Sequence, residues 1–87
     1  MAELTKGRVL LSRAMAAAGH TVTAAESACG AGLGVLGKVL RGERGVGTDL
    51  AARIEDVYPS VPMRAWTEPA EPGETMVEIP RGRQEAP

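Results

Sequence analysis

Gly19, Gly30 and Gly42 each stand at or just behind a short run of apolar residues at helical spacing, and Pro59 stands behind a fourth. Glycine at such a point accommodates the left-handed turn that closes a helix, and proline cannot continue one. The chain is thereby cut into helices of a few turns, none long enough to be stable alone. It has to fold by packing short helices on one another, and 87 residues leave room for one small domain.

The expected core is aliphatic and alanine-rich, since apolar residues make up 44% of the chain but Tyr58 and Trp66 are its only aromatics. A lone cysteine, Cys29, excludes an internal disulfide and any multi-cysteine zinc site. With no signal-peptide pattern and no apolar run near 20 residues, the expected location is cytoplasmic, without a membrane.

In residues 4–18, Leu11, Ala14, Met15 and Ala18 fall on one helical stripe, broadened by Val9 and Leu10, while Arg8 and Arg13 fall away from it. A second helix starts at Thr21, which can cap it, or at Thr23, which forms a capping box with Glu26, and it reaches Cys29. A third covers residues 31–40, with Leu36, Val39 and Leu40 on one face and Leu33 a turn earlier. Gly32, Gly34 and Gly37 fall inside that third helix, each costing about 1 kcal/mol relative to alanine. The cost has three readings: close approach of DNA, close packing of helices within the protein, or decay of a helix that once had a function.

Thr48 is the expected cap of a fourth helix, with Asp49 in its first turn and Leu50, Ile54 and Val57 at helical spacing. One more turn is expected after Pro62, with Trp66 folding back as an apolar plug. The expected fold is all-α: a compact bundle of about five short helices over residues 1–67, including two joined by a glycine turn in a helix-turn-helix, plus an extended or disordered C-terminal tail. Residues 68–87 read as a proline-rich acidic linker and tail. Within them, Thr75, Val77 and Ile79 alternate as a short strand over 75–79, either disordered or paired with its copy in a second subunit.

Net charge is −1 overall but unevenly spread: residues 1–48 carry +3 and residues 49–87 carry −4. A front half of that sign suits an anionic partner. Lys38, Arg41 and Arg44 recur every third residue around the end of the third helix, with Arg44 beyond the stop at Gly42, either as phosphate contacts or as cations suited to a helix C-terminus.

Three stretches, AAAGHTVTAA, ACGAGLGVLGKVLRGER and LAARIEDVYPSVPMRAW, carry a family likeness. Residues 11–66, about two-thirds of the chain, resemble the helix-turn-helix domain of phage Cro and lambda-type repressors, the xenobiotic-response-element family. The separation of Gly30 and Gly42 matches that between the turn glycine and the glycine after the recognition helix in that family. The resemblance implies a homodimeric, nucleoid-associated repressor of phage or mobile-element origin that lays its third helix in the major groove of double-stranded DNA. It implies Gly32, Leu33, Gly34, Val35 and Lys38 facing the bases. It also implies phosphate contacts from Thr21, Val22, Thr23, Lys38, Arg41 and Arg44. Glu26 stands where the family carries a small residue beneath the recognition helix, so its carboxylate must reach solvent or find a partner. Of the base-facing residues only Lys38 can donate a hydrogen bond, leaving Leu33 and Val35 to touch thymine methyl groups.

A second reading makes the same fold a protein-interaction module with weak or no DNA binding. It would meet a polymerase, another repressor or a toxin through Leu33 and Val35 or through the tail. No enzyme, cofactor or metal site is expected. His20 has no second histidine or paired cysteine, Ser12 and Ser27 have no base partner in the sequence, and Cys29 falls on a core position.

Overall fold

The computed structural model describes residues 4–81. Four α-helices, α1 (Lys6–Ala18), α2 (Val22–Cys29), α3 (Val35–Leu40) and α4 (Thr48–Val57), are followed by one 3-10 turn, Met63–Thr67, and an extended segment. The chain is a small all-α bundle, as the glycine punctuation requires.

Local chemistry sets most of the boundaries. Thr5 caps α1, its Oγ1 accepting the Arg8 N–H at 3.3 Å, and Gly19 closes it at φ 71°. Thr21, rather than Thr23, caps α2, accepting the Ala24 N–H at 3.1 Å, and Gly30 closes it at φ 68°. At α4 the expected cap, Thr48, is already the first helical residue, and Gly47 precedes it without a capping side chain.

The core joins Leu11 and Met15 of α1, Val22, Ala25 and Cys29 of α2, Leu36 and Val39 of α3, and Ile54 of α4 with Tyr58 and Val61. Full burial of each large aliphatic side chain contributes roughly 1.5–3 kcal/mol. α2 packs between α3 and α4, and α1 packs on the 3-10 turn. Along α1 the expected stripe stops short of Ala18, which is exposed, while Val9, expected to broaden it, is fully buried.

Trp66 folds back as expected, and it lands on Gly7. A β-carbon at Gly7 would overlap the indole ring, so the first turn of α1 needs glycine for close packing. The indole N–H of Trp66 is buried without a hydrogen-bond partner among the described residues.

Residues 68–81 run back along the bundle as a strap. The Lys6 N–H donates to the Glu68 carbonyl at 2.8 Å and the Ala70 N–H to the Leu4 carbonyl at 2.9 Å, pairing the strap's start with the approach to α1. Farther on, the expected strand over 75–79 is absent within the chain. The backbone there is extended but bonds to helices instead of to another strand. The Arg13 guanidinium donates to the Thr75 carbonyl at 3.3 Å, and the Val77 N–H donates to Ser12 Oγ at 3.0 Å. Ile79 packs against the core, while Thr75 and Val77, expected on the same face, stay exposed. Residues 82–87, the end of the expected tail, lie outside the described residues.

Candidate functional site

The third helix is shorter than its sequence suggests. Gly34 sits at φ 86°, outside helical geometry, so α3 starts at Val35 and runs for six residues. Gly32, Leu33 and Gly34, expected on the helix facing the bases, therefore lie in the turn before it, and only Val35 and Lys38 of that set are helical. Leu33 is 69% exposed at the tip of the turn.

A six-residue helix with a glycine at position 37 cannot hold itself together. α3 is held at both ends by charged side chains from other helices. At its N-terminus the carboxylate of Glu26, on α2, is 3% exposed and accepts the N–H groups of Leu36 and Gly37 at 2.9 and 3.2 Å. At its C-terminus the guanidinium of Arg8, on α1, donates to the Leu40 carbonyl at 2.8 Å. An anion at the N-terminus and a cation at the C-terminus both match the helix dipole. Glu26 thus finds the partner its burial demands, and Arg8 is engaged with α3. Arg53 of α4 does the same for α2, donating to the Gly30 carbonyl at 3.2 Å. No sequence signal marks Arg8 or Arg53, since their acceptors lie 32 and 23 residues away.

Of the cations expected to meet phosphate, Lys38 and Arg41 line one cleft and Arg44 lines others. Lys38 and Arg44 are exposed. Arg41 is also exposed but is bound by Glu43, Nε to Oε2 at 2.8 Å. That hydrogen bond and the charge of Arg41 lower the Glu43 carboxyl below its usual range, with Lys38 adding a smaller pull. The same pair raises the Arg41 guanidinium above its ordinary value.

At the start of α2, the donors of Val22 and Thr23, expected to face phosphate, are already used. The Val22 N–H donates to the Pro80 carbonyl at 2.9 Å, and the Thr23 N–H and hydroxyl donate to the Arg81 carbonyl at 3.0 and 2.9 Å. The Thr21 hydroxyl oxygen accepts the Ala24 N–H as the helix cap, an arrangement that does not use its O–H as a donor.

Packing inside the chain does not explain the glycines around α3. A β-carbon at Gly32 would stand 3.5 Å from Val35 Cγ2, and one at Gly37 would stand 3.4 Å from Arg41 Nη1, both ordinary contacts. Gly34 is fixed by its own backbone conformation, with open space around it.

The remaining polar groups have structural duties. His20 Nδ1 and the Tyr58 hydroxyl share a hydrogen bond of 2.7 Å that ties the α1–α2 turn to the end of α4. Burial, and then the neighbouring Cys29, raises the Tyr58 phenol. Burial also raises the Cys29 thiol, the opposite of what a reactive thiolate needs. Ser12 is fully buried, donating to the Val9 carbonyl at 2.9 Å and receiving Val77. Among the described residues no three His, Cys, Asp or Glu side chains are grouped to hold a metal ion, and no helix is long and apolar enough to cross a membrane.

Comparison of the chain with protein-family models, with curated proteins and with solved structures returns no match.

Proposed function

We propose that this protein is a DNA-binding transcriptional regulator, a homodimeric repressor of phage or mobile-element type that uses α2, the glycine turn and α3 as a helix-turn-helix. The supporting observation is an α3 clamped at both ends by Glu26 and Arg8, with Lys38, Arg41 and Arg44 exposed beside glycines that intrachain packing does not require. In this reading the cations displace counterions from phosphates, which supplies affinity and makes it salt-dependent. The missing side chains at Gly32 and Gly34 let the turn approach the groove closely, and Leu33 and Val35 supply methyl contacts to thymine. Two copies would read half-sites about one helical turn apart.

The test is titration of a duplex taken from upstream of the protein's own gene across a salt series. Binding at about 50 mM salt that weakens linearly in log affinity against log salt supports the reading, and a folded protein with no binding there defeats it.

The exposure of Leu33 at the turn tip favours a second reading, a docking module for another protein. Val35→Asp separates the two. Loss of protein capture supports the module, and loss of DNA binding with partners unaffected supports the regulator.

A further inference from the structure

We propose that Arg81, carried by the C-terminal strap, is a phosphate-contacting residue of the same face and takes the place of the N-terminus of α2. The inference rests on the DNA-binding reading above. With the carbonyls of Pro80 and Arg81 on the Val22 and Thr23 N–H groups, a phosphate cannot use those donors while the strap is seated. The strap brings a full positive charge in exchange for the roughly half charge of a helix N-terminus.

The position of that charge is built. The main chain at Arg81 is fixed by two hydrogen bonds from Thr23 to its carbonyl. Upstream, the strap is tied down at Val77 by the fully buried hydroxyl of Ser12, in the apolar stripe of α1, and by the packing of Ile79 on the core.

Arg81 lines one shallow cleft of about 120 Å³ together with Lys38 and Arg41, over Gly34, Gly37 and Thr23. Glu26, the one carboxylate lining it, is 3% exposed and bound to two N–H groups of α3. The ion pairs among the described residues are Lys6–Glu71 and Arg41–Glu43, so Lys38 and Arg81 share the cleft without a carboxylate in contact with either. Two cations lining one cleft, with Glu43 bound to Arg41, leave a local positive potential that a phosphodiester oxygen would relieve. Of the acidic residues of the strap, Glu68, Glu71 and Glu74 lie toward its other end, where Glu71 contacts Lys6, while the exposed Glu78 lines the neighbouring cleft with Arg41 and Arg81 and makes no ion pair with either.

The experiment measures binding of the full chain to a mixed-sequence duplex by fluorescence anisotropy at several salt concentrations. The proteins compared are the unaltered chain, Arg81→Gln, Ser12→Ala and the double variant, each checked for folding by circular dichroism. Arg81→Gln is expected to weaken binding several-fold and to reduce the slope of log affinity against log salt by about 1. Ser12→Ala, which loosens the strap without touching its charge, is expected to weaken binding too, and the double variant to bind no worse than Arg81→Gln alone. An unchanged slope for Arg81→Gln overturns the proposal while leaving DNA binding intact. Tighter binding by either single variant also overturns it, by showing that the strap obstructs the face. If the folded, unaltered chain does not bind, the DNA reading falls and this inference with it.

Discussion

The carboxylate of Glu26 accepts the backbone N–H of Leu36 at 2.9 Å, joining the last turn of α2 to the first turn of α3 through a buried charge. This single acceptor does what the capping side chain of a longer helix does for itself, because the residue before α3 is Gly34 and has none to offer.

Glu26→Ala leaves the Leu36 N–H buried and unpaired, which is expected to cost about 1–3 kcal/mol. Glu26→Gln keeps a carbonyl acceptor and should lose less. Urea unfolding of the three proteins measures both differences, and a change under about 0.5 kcal/mol for Glu26→Ala would show that the contact does not hold α3.

Gly37→Ala places a methyl group where it meets only ordinary contacts, 3.4 Å from Arg41 Nη1 and 3.7 Å from Val22 Cγ1. The helix should gain up to about 1 kcal/mol from the better helix former. Gly34→Ala, at φ 86°, should lose about 1–2 kcal/mol from the left-handed backbone alone. Thermal unfolding checks the opposite signs. If Gly37→Ala raises stability and weakens DNA binding together, the glycine serves the partner.

At Gly7 the same substitution should act the other way. A methyl group there strikes the Trp66 indole, and overpacking of about 1–3 kcal/mol outweighs the gain in helix propensity. Lower stability with a red shift of the tryptophan emission is expected. An unaltered spectrum would mean that Trp66 does not rest on α1.

The Arg41–Glu43 pair predicts a pH effect of definite sign. Its hydrogen bond and charge depress the Glu43 carboxyl in the folded state, so the contribution to stability is present above the ordinary carboxylate range. It is lost as pH falls through the depressed folded value. Both groups are exposed, so the global effect is small and the local titration is the measurement. By NMR the Glu43 carboxyl should titrate below a normal glutamate, and Arg41→Gln should return it most of the way.

Local chemistry made much of the bundle legible from the residues in order. Thr21, Gly19, Gly30 and the apolar spacing of α1 and α4 act within about one turn of where they stand, so they mark the helices wherever the chain goes. The same rules overextended α3, because apolar periodicity continued through Gly32 and Gly34 while the left-handed backbone of Gly34 ended the helix. Over 75–79 the alternation marked an extended segment, which this chain holds against α1 through Arg13 and Ser12.

What the sequence by itself determined about this protein is a set of short helices with aliphatic faces, closed by glycine, with its positive charge gathered in the first half. Only the tertiary structure decided what holds α3 in place and what meets the start of α2. Those outcomes depend on Glu26 reaching Leu36, Arg8 reaching Leu40, and Ser12 reaching Val77 across 10, 32 and 65 positions. A charged or hydroxyl side chain carries no mark of a partner that far along the chain. Burial of the shared core brings donor and acceptor together, and an unpaired buried polar group then costs enough to require that they bond.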